Sequence, residues 1–137
     1  MSTEPLTQAE RSRLEGLSDT LIPPAPGHLS ASEAGIAGAL LEQALAYAPG
    51  LVTVLHKVIA AVGDAPPRPA LFTLKAADPA TYDTFCETIA AIYFLSPDVR
   101  AAVGFPGREP KPARVDVADL EDLLMPVLEA GFAPRAI

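Results

Sequence analysis

Apolar residues recur at every third or fourth position over most of the chain, and the rhythm breaks where Pro and Gly gather. Thr7 and Glu10 have the spacing of a capping box, and Leu14, Leu17 and Leu21 follow it, which predicts a first helix over about Gln8 to Leu21. The run PPAPG, Pro23 to Gly27, ends that helix. Ser30 with Glu33 is a second capping box and predicts a helix to about Ala48, with Ile36, Leu40, Leu41, Ala44 and Leu45 on one side. Gly35 and Gly38 lower its propensity but permit close approach of a neighbouring backbone. Beyond the break at Ala48 to Gly50, Leu51, Val54, Leu55, Val58 and Ile59 keep helical spacing despite their β-branched content. The stretch GDAPPRPA, Gly63 to Ala70, has no sustained period and reads as a linker.

Asp78 as N-cap and Pro79 as first helical residue open the strongest pattern, carried by Tyr82, Phe85, Cys86, Ile89, Ile92 and Tyr93. Ser96 and Pro97 repeat the start signal for a short helix to about Val103. From Asp119 an acidic first turn and the set Leu120, Leu123, Leu124, Val127 and Leu128 predict a last helix ending at Gly131, which Pro126 should bend or split. The expected fold is all-α: an irregular bundle of five or six helices in one domain, residues 1–137. A proline-rich arm over 104–113 interrupts it.

That arm raises the functional question. Pro106, Pro110 and Pro112 restrict φ and remove backbone donors, so the segment is extended or turning and costs little entropy to order. Its one aromatic residue is Phe105, and Arg100, Arg108, Lys111 and Arg114 form a locally positive band in an acidic chain. Two accounts stand side by side: Phe105 folds back over a thin core, or the arm and its neighbouring helices cover a larger partner.

Composition narrows the remaining classes. The chain has 137 residues, enough for one domain, and its hydrophobic half is rich in alanine and lacks Trp, so the core should be thin. A net charge of -7 with scattered cations argues against nucleic acid and against an anionic membrane surface. The single Cys86 excludes an internal disulfide or a Cys cage. No export signal and no spanning segment is read, since Glu42, Gln43, Pro49, Gly50, His56 and Lys57 interrupt the apolar stretch from Ala37 to Ala61. The expectation is a cytoplasmic chain without membrane insertion, or a periplasmic one if a leader precedes this sequence or a partner carries it out.

No pattern of catalytic, cofactor-binding or metal-ligating residues emerges. His28 and His56 lie in different segments, with no HExxH spacing. Cys86 has Glu87 beside it and no cation at hand to make a thiolate. Asp83 with Glu87, and Asp119 with Asp122, share helix faces but lack converging partners. The glycines of GFPG, Gly104 to Gly107, match no phosphate loop. The alternatives to a partner-binding protein are a stand-alone helical homodimer and a small enzyme using His56 or Cys86.

The segments LEGLSDTLIPPAPG (Leu14 to Gly27), YFLSPDVRAAVGFPGREPKP (Tyr93 to Pro112) and the closing DLEDLLMPVLEAG resemble the gluconate 2-dehydrogenase subunit 3 family, in the same order and over most of the chain. The resemblance implies a noncatalytic small subunit bound to a large flavoprotein of the glucose-methanol-choline oxidoreductase type. There the large subunit holds FAD and oxidises an alcohol or sugar, a cytochrome subunit can receive the electrons, and the small subunit supports maturation, stability or export. Carried onto this sequence, Asp19 to Pro23 form the first turn segment, and Arg100, Gly104, Phe105, Pro106, Gly107, Arg108 and Arg114 are the expected partner-binding residues. Phe105 stands where the family commonly has Tyr, so a phenolic hydrogen bond is lost there.

Overall fold

The computed structural model describes residues 4–105, 107, 108, 110 and 116–131. Among these the fold is all-α, with helices α1 (Gln8–Leu21), α2 (Ala39–Tyr47), α3 (Leu51–Val62), α4 (Pro67–Ala77), α5 (Pro79–Tyr93), α6 (Pro97–Ala102) and α7 (Val117–Glu129). The only bridge pairing among the described residues joins Ala25 to His28. The chain divides into two compact units, Met1–Gly107 and Arg108–Ile137.

In the first unit, α5 packs against α2, α3 and α4, while α1 lies on α3 and α4. The predicted apolar faces supply the core: Leu14 and Leu17 of α1, Leu41 of α2, Leu55 and Val58 of α3, and Phe85, Ile89 and Ile92 of α5 are all buried. Fully burying such side chains stabilises by roughly 1.5–3 kcal/mol each. The capping box at Thr7 forms as predicted, with the Thr7 hydroxyl accepting from the Glu10 N–H at 3.3 Å and the Glu10 carboxylate accepting from the Thr7 N–H at 2.8 Å. Asp78 caps α5 by accepting from the Thr81 N–H at 3.1 Å.

Two expectations about helix extent are corrected. The segment GDAPPRPA is not a linker throughout: α4 begins inside it, at Pro67, and raises the helix number among the described residues to seven. Pro67 and Pro69 fall in the first helical turn, where backbone N–H groups have no intrahelical acceptor, so proline costs nothing there. Ala70, Leu71 and Leu74 then bury α4 against the core. The helix predicted from Ser30 also starts late. Its capping box forms, with the Glu33 carboxylate accepting from the Ser30 N–H at 2.7 Å, but the chain makes only turns until Ala39.

Gly35 causes that delay. It adopts φ +83, a left-handed conformation that ends helical growth. The Ile36 N–H donates to the Ala31 carbonyl at 3.2 Å and the Gly35 N–H to the Ser32 carbonyl at 3.0 Å, the paired closure of a Schellman motif after a single turn. Ile36, just beyond the glycine, is fully buried.

In the second unit, α7 starts two residues before the predicted Asp119, with Asp116 as its N-cap, and continues unsplit through Pro126. None of its residues is buried.

Candidate partner-binding face

Of the residues singled out in the sequence, Arg100, Gly104 and Phe105 lie on α6 and just past its end. Ser96 caps this helix by accepting from the Val99 N–H at 3.3 Å, and Val99 is fully buried, which seats the helix on the core. At the other end Gly104 takes φ +71; its N–H donates to the Ala101 carbonyl at 3.0 Å and the Phe105 N–H to the Arg100 carbonyl at 2.8 Å. This is the same Schellman closure as at Gly35, and the residue beyond the glycine is again large and apolar. Here, however, Phe105 is 56% exposed. It does not fold back into the core, so the first of the two sequence accounts of this ring is corrected. The GF pair is a helix stop that fixes the backbone of an outward-facing aromatic residue.

Arg100 is half-buried on α6, and Gly107 (φ +89) is a second left-handed position three residues after Gly104. Arg108, in the second unit, is exposed. Pro106, Arg114 and Lys111 lie outside the described residues. Phe94 (48% exposed), at the end of α5, and Val103 (44%), at the end of α6, add apolar surface to the first unit.

The segment Leu14 to Gly27 reaches this region at its end. After α1 the chain turns through Pro23 to Gly27, and the Tyr93 hydroxyl donates to the Leu29 carbonyl at 2.5 Å, tying this loop to the end of α5. Asp19 anchors the turns that follow: its carboxylate accepts from the Ser32 N–H at 2.8 Å and from the Ser32 hydroxyl at 2.6 Å. A shallow depression lined by Gly27, His28, Leu29, Asp98 and Ala102 joins the loop to α6. Residues 27–29 and residues 93–102, far apart in sequence, thus meet in the first unit. Local spacing could not reveal these contacts, because Asp19 and Ser32 are 13 residues apart and Tyr93 and Leu29 are 64 apart. Burial of the Tyr93 ring raises the pKa of its hydroxyl, so it stays a proton donor to Leu29 across the neutral range.

His28 is exposed at the rim of the depression, and its N–H donates to the Ala25 carbonyl at 3.0 Å. His56 lies elsewhere, on α3. Its Nδ1 is 3.1 Å from the Glu10 carboxylate and its Nε2 is 2.9 Å from the Glu4 carbonyl. Both partners accept, so a neutral ring donates to one of them and an imidazolium to both; either way His56 links the N-terminal segment and α1 to α3. The hydrogen bond from the Thr7 N–H, helped by the Thr7 hydroxyl and to a lesser degree by His56, holds the Glu10 carboxyl below its usual range. Cys86 is half-buried on α5 next to Tyr82, whose hydroxyl is shifted upward chiefly by its hydrogen bond with the thiol and then by burial. A phenol neighbour does not generate the thiolate that nucleophilic chemistry needs.

Sequence reading also missed a polar cluster where α3 meets α5. Lys57 on α3 donates to the Asp78 carboxylate at 3.1 Å and to the Thr81 hydroxyl. The Thr81 hydroxyl and N–H, and then Lys57, hold the Asp78 carboxyl down at about 2. The cluster caps α5 and borders a concavity whose lining includes Ala61, Ala65, Ala70 and Ala77. Among the described residues, no three His, Cys, Asp or Glu side chains come together as a metal site, and no helix is long and apolar enough to cross a membrane.

No family model, curated protein or solved structure matches the chain.

Proposed function

We propose that the chain is a noncatalytic subunit that binds and stabilises, or helps to mature, a large FAD-dependent oxidoreductase of the glucose-methanol-choline type. The observation that carries the binding role is Phe105: its backbone is closed by two hydrogen bonds and a left-handed glycine, while its ring stays 56% exposed. An aromatic side chain on a pre-ordered backbone forfeits little entropy on docking, and such residues dominate the energy of protein interfaces. The choice of partner rests on the resemblance of Leu14 to Gly27 and Tyr93 to Pro112 to the gluconate 2-dehydrogenase subunit 3 family.

In this reading FAD, substrate and electron transfer belong to the large subunit. Arg100, Phe105, Arg108 and Arg114 supply contact area and positive charge. Coexpression with a flavoprotein of this type encoded beside the gene should yield a stoichiometric complex on size-exclusion chromatography, and Phe105→Ala should weaken it by about 2 kcal/mol or more. Separate elution of the two wild-type chains at micromolar concentration overturns the proposal.

A further inference from the structure

Helix α7 carries a second feature that the Phe105 face does not use. At 100° per residue, Leu120, Leu124, Val127 and Leu128 fall on one side of the helix, with Val117 within the same arc and Leu123 at its border. The spacing supplies anchors at i, i+4, i+7 and i+8, the pattern of a helix that lies in a groove. These four side chains are nevertheless exposed, Leu120 43%, Leu124 47%, Val127 48% and Leu128 66%. A helix of 13 residues is about 20 Å long, enough for an apolar stripe to act as a docking element.

Charge selects the occupant. Between Asp116 and Gly131 the sequence has Asp116, Asp119, Glu121, Asp122 and Glu129 and no Lys or Arg. Glu121 borders the apolar stripe on one side and Asp119 on the other, while Asp122 and Glu129 lie on the back. A second copy of α7, parallel or antiparallel, would set acidic rim against acidic rim. An anionic membrane would repel the same rims.

We infer that α7 is a docking helix that seats its leucine stripe in an apolar groove edged by Lys or Arg on the large partner subunit. This rests on the partner reading above and assigns that partner a second contact, separate in chemistry from the Phe105 face.

The test uses the full chain and the flavoprotein, with binding followed by biolayer interferometry. The double variant Leu120→Gln, Leu124→Gln should weaken the complex about 100-fold or more through faster dissociation. The reversal Asp119→Lys, Glu121→Lys leaves the leucines in place; it should slow association about tenfold at low salt and flatten its salt dependence. A complex that Phe105→Ala weakens but neither α7 variant alters overturns this inference and leaves the proposed function standing. Failure of the wild-type chains to associate removes both. A dimer of the free chain, seen by light scattering and abolished by the leucine variant, assigns the stripe to self-association and also overturns the inference.

Discussion

Two turns in the first unit share one backbone design and end differently. At Ala31–Ile36 and at Arg100–Phe105, a left-handed glycine closes a helical turn with the same two hydrogen bonds and is followed by a large apolar residue. Ile36 is fully buried, whereas Phe105 is 56% exposed. The first turn is drawn inward by the Asp19 carboxylate on Ser32, and its apolar residue completes the core. The second stands at the end of a short helix whose burial is concentrated in Val99. A Schellman stop therefore fixes the path of the chain but not the surroundings of the residue beyond it. Where that residue remains outside, its apolar surface is available to another molecule.

The contrast predicts a graded series of effects on the free chain. Ile36→Ala should cost the most, about 2–5 kcal/mol in urea unfolding, from lost burial and the cavity left behind. A cost near zero would show that the first turn is as open as the second. Asp19→Ala should follow at about 2 kcal/mol, because two charge-assisted hydrogen bonds to Ser32 disappear together. Thermal denaturation of Asp19→Ala beside Ser32→Ala would separate the side-chain bond from the backbone one.

Gly35→Ala and Gly104→Ala should each cost about 1 kcal/mol, and nearly the same amount. Nothing lies within 4 Å of a Cβ added at either position, so the penalty is backbone strain alone. A much larger loss at Gly35 would mean that its turn also holds the core in register. Phe105→Ala should change the free chain's stability least, by under about 0.5 kcal/mol, while weakening the complex with the flavoprotein. Loss of stability without loss of binding would make Phe105 a structural residue and dissolve the comparison.

Helices α5 and α7 extend the lesson from turns to whole elements. Both have an apolar stripe at helical spacing, and both were legible in the sequence. Phe85, Ile89 and Ile92 of α5 are buried in the core, whereas the apolar residues of α7 are exposed. Periodicity states which side of a helix is apolar and is silent about what will cover it. The missed helix α4 has a related cause. Its apolar residues begin only at Ala70, after a proline-rich first turn that resembles a linker, and its existence is secured by packing on α1, α3 and α5.

Alone, the sequence determined the class of fold, the starts of α1, α5 and α6, and most core residues, because capping and 3.6-residue periodicity are local properties of neighbouring side chains. The tertiary structure decided the rest. It placed the Asp19 and Tyr93 partners across the chain, set His56 between Glu10 and Glu4, and left Phe105 outside while Ile36 went in. Those outcomes depend on which distant surfaces meet, and the free energy of such meetings is shared among elements that no short stretch of sequence contains.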